Sequence, residues 1–257
     1  MCFQFDASPP ELPADRLLPI AGGAAAEQLE LRSADGTAFA AALAESPQPS
    51  GTAIAILPDI RGLYRFYVEL AERFAAAGHH AIAIDYFGRT AGVAERAEDF
   101  DHMSHVAAVV PENVQADLAP AIARVLECPG AERVVSVGFC FGGAQSFLAA
   151  TNAGLGLDGA VGFYGTLDPS KFGIENMPFP LRHGTETKVR VLGLFGGADD
   201  FIPPADIETF DGQLAEAGVE HELITYDGCP HSFFDRAQEQ FADQSADAWR
   251  RVLDFVA

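Results

Sequence analysis

The sequence predicts an α/β fold, a mostly parallel central sheet of about eight strands with helices on both faces. Two observations carry this expectation. Short apolar runs of the kind buried in central parallel strands recur at residues 53–57, 81–84, 134–137, 160–163 and 191–195. The segments between several of them place apolar residues at helical spacing, and alternation of the two element types demands a sheet covered on both sides.

Taken in order, residues 1–26 carry Pro9, Pro10, Pro13, Pro19 and a Gly-Gly-Ala-Ala-Ala run from Gly22, too irregular for a long helix. They read as an N-terminal arm on the surface. Residues 27–31 and 37–44 flank an Asp35-Gly36 turn and predict an antiparallel hairpin. Phe66, Leu70 and Phe74 mark one helix, ended by Gly78. Val114, Leu118, Ile122 and Val125 mark another, in which Pro120 implies a kink or a late start. Residues 220–226 are the last predicted strand, and Phe241, Ala248, Trp249, Val252 and Phe255 give the closing helix its apolar face. The turn-rich stretches 90–111 and 165–188 are expected to cover the mouth of a site.

A chain of 257 residues, 49% of them hydrophobic, supports one large core, and residues 27–257 read as a single domain after the arm. A formal charge of −21 repels nucleic acid and anionic lipid, which argues against either as a partner. The first residues lack the basic start and apolar core of a signal peptide, and no apolar run is long enough to span a bilayer. A cytoplasmic protein, monomeric or a small homo-oligomer, is expected. Cys2, Cys128, Cys140 and Cys229 are widely spaced with no C-x-x-C pair, so neither a zinc knuckle nor a disulfide framework is predicted.

The chemistry centres on Gly138-Phe139-Cys140-Phe141-Gly142-Gly143, which joins an apolar strand to a helix-forming segment. Flanking glycines permit the cramped strand-to-helix turn that lifts a nucleophile out of the fold, with cysteine where serine is more usual. A helix N-terminus there favours thiolate over thiol. The sequence lacks the Lys-Ser/Thr of a phosphate loop and the spacing of a dinucleotide fingerprint. Downstream, Asp199 follows the strand 191–195 and His231 follows the last strand, placing a candidate acid and base beyond the carboxyl ends of strands.

The rivals are weaker on the same grounds. His79, His80, His183 and His221 read mostly as surface residues, and Asp200, Asp227 and Asp235 as solvated loop carboxylates. His102 and His105 lack the partner pattern of a metal site, so no metal and no cofactor is expected. Ser136 and Ser232 sit on no glycine-flanked turn, and Cys229 reads as a half-buried packing residue.

These motifs resemble the dienelactone hydrolase family of the α/β-hydrolase superfamily. Its elbow is G-x-C-x-G-G, here residues 138–143; its acid lies in G-x-D-x-x-x-P, here residues 197–203; its base lies in G-x-x-H-S/G-F, here residues 228–233. The resemblance runs from about residue 27 to the C-terminus. It implies a Cys140-Asp199-His231 triad acting through an acyl-enzyme on a small carboxylic ester or lactone. It implies an oxyanion hole from the amides of Ile60 and Phe141. By position, Asp59 stands where the family has a glutamate that holds the resting thiol. Arg89 matches the first of two arginines that hold a substrate carboxylate, and Arg236 lies one residue from the second, so anionic substrates are included. Tyr164, at the end of a strand, is a candidate for the pocket wall. The alternatives are a broad carboxylesterase or thioesterase, and a non-catalytic thiol sensor.

Overall fold

The structure, a computed structural model, describes residues 7–18, 25–170 and 177–257. The remainder of the predicted arm, with Cys2 and Pro19, and part of the stretch 165–188 lie outside the described residues.

In chain order the elements are β1 (Glu27–Arg32), β2 (Ala38–Ala44), β3 (Thr52–Leu57), α1 (Arg65–Ala76), β4 (Ala81–Ile84), α2 (Gly88–Ala91), α3 (His102–Val106) and α4 (Pro111–Leu126). They continue as β5 (Arg133–Phe139), α5 (Phe141–Ala149), β6 (Gly159–Phe163), β7 (Arg190–Gly196), α6 (Pro204–Ala217), β8 (His221–Tyr226) and α7 (Ala242–Val256). One eight-stranded sheet runs β1-β2-β4-β3-β5-β6-β7-β8. The pairings β1–β2 and β2–β4 are antiparallel; all the others are parallel.

From β3 the chain crosses to β4 on one side and then returns to build β5 to β8 on the other. The strand order therefore reverses at β3, and the crevice beyond the carboxyl ends of β3 and β5 is where ligands settle in open α/β sheets. β5 and β7 each extend to a residue beyond the apolar run. The parallel partner continues beside them, Phe163 opposite Phe139 and Tyr226 opposite Gly196.

Side-chain alternation along the strands divides the core in two. Ile54 and Ile56 join α1 (Phe66, Leu70, Phe74) and α7 (Trp249, Val252, Val256) in one cluster. Ala53, Ala55 and Leu57 join Val114, Leu118, Ile122 and Val125 of α4 in the other. α4 starts at Pro111 and runs through Pro120 rather than beginning after it. The carbonyl that Pro120 deprives of a donor belongs to Ala116, which is exposed, so water can satisfy it.

The arm is more than a surface strand of chain. Leu12 is buried in the α1/α7 cluster, the amide of Leu18 donates to the carbonyl of Ala76, and Arg73 pairs with Glu11 at 2.7 Å. No helix among the described residues is long and apolar enough to cross a membrane.

Candidate active site

β5 ends and α5 begins at Cys140, which has φ 54° and ψ −115°. Its amide donates to the carbonyl of Phe163 at 3.0 Å, and its carbonyl accepts from the amide of Ala144 at 3.1 Å. The elbow is tight enough to require glycine on both sides. A Cβ on Gly138 would strike the carbonyl of Gly142, and one on Gly142 would strike the carbonyls of Leu57 and Pro58. The Cys140 turn is thus wedged against the loop that follows β3, the loop that carries Ile60. Phe141, 1% exposed, opens α5, with the Tyr86 ring 5.4 Å away.

Two tyrosines fix that loop. The Asp59 amide donates to Tyr67 Oη at 3.0 Å, and Tyr86 Oη donates to the Pro58 carbonyl at 2.7 Å. Sequence reasoning missed both, because their roles are to bond backbone brought close only by the fold.

Asp199 and His231 meet although they are 32 residues apart. Asp199 Oδ2 lies 2.6 Å from His231 Nδ1, and the other carboxylate oxygen accepts from the Phe201 amide at 2.9 Å. Both residues are buried. The loops that carry them are joined backbone to backbone: Gly197 N–H donates to Tyr226 O at 2.8 Å and Ala198 N–H to Cys229 O at 2.9 Å. The imidazole sits between Tyr164 and Phe201, with ring centroids 5.0 and 5.4 Å distant.

Among the described residues, the non-glycine residues with positive φ are Cys140, Tyr164 and Ser232. One follows β5, one follows β6, and one follows His231. Backbone strain of this kind costs on the order of 1–3 kcal/mol per residue and persists only where the surroundings over-determine it. Here it is confined to one edge of the sheet. The buried Tyr164 hydroxyl has no hydrogen-bond partner among the described residues, and its pKa is pushed well up, first by burial and then by Asp235, Asp59 and Cys140. The Tyr164 ring lies 5.0 Å from that of His231 and 5.7 Å from that of Phe233, centroid to centroid.

Several expectations need correction. Arg89 does not stand ready for a substrate carboxylate: it pairs with Asp35 at 2.6 Å and Asp117 at 2.7 Å and also donates to Thr37 Oγ1. Those bonds staple the β1–β2 turn to α4. Asp235 is not a solvated loop carboxylate but 2% exposed, with Oδ2 3.9 Å from Arg61 Nη2. His79 and His80 are buried rather than on the surface, and Cys229 is fully buried. Arg236 lines a cavity of about 450 Å³ with Asp235 and Glu239.

Asp59, 1% exposed, holds Arg61 through both carboxylate oxygens. Arg61 also donates to Tyr64 Oη, and its guanidinium lies 4.1 Å from the centre of that ring. Burial works against the Arg61 charge, yet Asp59 outweighs it and raises the pKa. Arg61 went unremarked in the sequence, where the only signal was its place next to Ile60.

Among the described residues, Glu45, His80 and Cys128 place potential metal-ligand atoms within 4.8 Å of one another. Both His80 nitrogens are engaged, Nδ1 with the Ser46 amide and Nε2 with the Pro129 carbonyl, each at 3.0 Å. With Nδ1 accepting a hydrogen bond, Nε2 carries the proton, and the ring has no lone pair left for a metal.

The parallel sheet, the reversal of strand order at β3 and the cysteine elbow beyond β5 define an α/β-hydrolase. The model of the dienelactone hydrolase family matches residues 39–257, and the chain belongs to that family. It is 30% identical over 209 residues to a Salmonella typhimurium protein named "Putative carboxymethylenebutenolidase", covering 79% of this chain and 76% of that one. A Methylorubrum extorquens protein of the same name is 29% identical, covering 91% and 81%. A Klebsiella pneumoniae crystal structure described as "Putative Dienelactone Hydrolase" superposes with a TM-score of 0.76 at 26% identity, covering 89% of this chain and 96% of that one. The chain is accordingly a dienelactone hydrolase-like carboxylic ester hydrolase.

Proposed function

We propose that Cys140, His231 and Asp199 act together as nucleophile, base and orienting acid in hydrolysing a small carboxylic ester or lactone. The observation that carries this reading is the buried Asp199–His231 hydrogen bond at the same sheet edge as a cysteine on a strained elbow. With Nδ1–H given to Asp199, the imidazole keeps its Nε2 lone pair for the nucleophile.

His231 takes the thiol proton, and the Cys140 thiolate adds to the carbonyl carbon. A C–S bond forms and the carbonyl π pair moves to oxygen, where the amides of Ile60 and Phe141 receive it. Such a donor is worth about 3 kcal/mol in an acyl-transfer transition state. Collapse breaks the C–O bond, and the departing alkoxide takes the proton from His231. Water, deprotonated by the same imidazole, then attacks the thioester; the C–S bond breaks, the acid leaves and the proton on His231 returns to sulfur. The scheme calls on no cofactor.

The test is steady-state hydrolysis of an activated aryl ester. Cys140→Ala should lower kcat by at least about a thousandfold with the folded state intact. Retained turnover would assign the nucleophile elsewhere.

A further inference from the structure

We infer that Asp85 is a positioning residue for the reaction: its carboxylate holds the far side of the loop that offers the Ile60 amide to the substrate oxygen. The inference rests on the ester-hydrolase reading above and concerns a residue that acts on the reaction only through that loop.

β3 and β4 are parallel neighbours, so the loops that leave them emerge at the same edge of the sheet. Asp85 directly follows β4, is fully buried, and has its own amide bonded to the Ala40 carbonyl of β2 at 2.9 Å. From that fixed point Oδ1 accepts from the Leu63 amide at 3.0 Å, and Oδ2 accepts from the Phe87 amide at 2.9 Å. The first of these bonds crosses from the end of β4 to the loop after β3. Gly62 makes the crossing possible: its φ is 78°, and a Cβ there would strike Asp85 Oδ1 and the Phe87 ring.

The loop from Pro58 to Leu63 is thus tied on both sides of Ile60. Tyr86 Oη on the Pro58 carbonyl and Tyr67 Oη on the Asp59 amide hold its start, and Asp85 holds its finish. The Arg61 amide on Asp59 Oδ1 at 2.8 Å and the Gly62 amide on the Asp59 carbonyl at 3.1 Å are internal to the loop, so they set its shape rather than its place.

Arg96, 4% exposed, supplies the counter-charge, with Nη2 2.8 Å from Asp85 Oδ2 and Nε 3.3 Å from both oxygens. Its guanidinium also donates to the Gly92 carbonyl at 2.6 Å and lies 4.8 Å from the centre of the Phe100 ring. Arg96 and Phe100 belong in turn to the wall of a cavity of about 270 Å³ beside Arg61 and Tyr64. Turning the carboxylate away from the loop would break two amide bonds and an ion pair at once. An oxyanion donor works only within hydrogen-bond reach of the oxygen as charge develops there, so a small shift of the loop is felt in the transition state more than in the bound ester.

The experiment compares two reactions of the same sulfur. Hydrolysis of 4-nitrophenyl acetate passes through an oxyanion, whereas alkylation of Cys140 by iodoacetamide, followed on the Cys140 peptide by mass spectrometry, forms a C–S bond with loss of iodide and needs no oxyanion donor. Asp85→Asn keeps the size of the side chain but leaves one acceptor oxygen where there were two, and no charge for Arg96. It should lower kcat for the ester by about tenfold or more, with KM and the alkylation rate each within about threefold of the parent. If that variant does not fold, Asp85→Asn/Arg96→Met gives the same comparison with no buried charge left alone. An unchanged kcat, a rise in KM alone, or an equal fall in both reactions would overturn the inference while leaving the hydrolase reading standing. Absence of ester turnover in the parent would overturn the hydrolase reading and this inference with it.

Discussion

Arg61 Nε lies 2.9 Å from Asp59 Oδ2 and 3.1 Å from Oδ1, a two-point grip between residues only two apart in the chain. Both side chains are nearly excluded from solvent, so neither charge is cheap to leave alone. Removing one member of a buried pair typically costs about 3–5 kcal/mol, whereas replacing both by residues of similar volume can be close to neutral. Arg61→Ala should therefore lower the denaturation midpoint strongly. The double variant Asp59→Asn/Arg61→Met should recover much of the loss in urea unfolding.

Asp199 holds His231 in one tautomer through a 2.6 Å bond. An amide in its place can donate to Nδ1 and so favours the wrong tautomer. Asp199→Asn is expected to lower kcat by roughly 10³- to 10⁴-fold, by analogy with the effect in Ser-His-Asp sites, with little change in thermal midpoint. A fall of less than about tenfold in ester hydrolysis would show that the carboxylate does not orient the base.

The strained backbone at Cys140 predicts a trade of stability against activity. Glycine adopts φ 54° without penalty, so Cys140→Gly should unfold at higher temperature than the parent, by an amount corresponding to about 1 kcal/mol, and be inactive. Gly142→Ala should do the reverse, losing stability as well as turnover, because its Cβ would push against the carbonyls of Leu57 and Pro58. Calorimetry on the two variants checks both signs.

His79 provides a pH-dependent contribution. It is buried, and burial lowers its pKa below the ordinary histidine value, partly opposed by the Thr52 carbonyl 3.0 Å from Nδ1. The folded state therefore binds the proton less readily than the unfolded chain. Its contribution is fully present above the unfolded value of about 6.5 and is lost as pH falls from there toward the folded pKa. Thermal midpoints measured from pH 8 to pH 5 should decline less steeply in His79→Gln than in the parent.

Much of the fold was written locally. Residues 53–57 are apolar on both faces, as are 134–137 except for Ser136, and a short run of that kind has few places to go except the middle of a parallel sheet. The strand-to-helix turn at Cys140 and the loops that bring Asp199 to His231 were also legible in outline, since glycines flank each of them in the sequence.

What could not be read was the commitment of charge. Arg89 looks available until the fold delivers Asp35 and Asp117, which lie 54 and 28 positions away along the chain. Asp235 looks solvated because nothing local says that it will be buried with Arg61 beside it. Pro120 misled in the opposite sense. A helix can absorb a missing donor when the orphaned carbonyl faces water, and that depends on which side of α4 is packed.

The two bonds that tie Gly197 and Ala198 to the residues Tyr226 and Cys229 join the loops of Asp199 and His231 into one piece, seated on the ends of β7 and β8. Residues 96–102, which line the cavity beside Arg61 and Tyr64, belong to a different stretch of chain, so changes there leave those two bonds untouched. The lining of that cavity is thus open to variation at little risk to the geometry that holds Asp199 against His231.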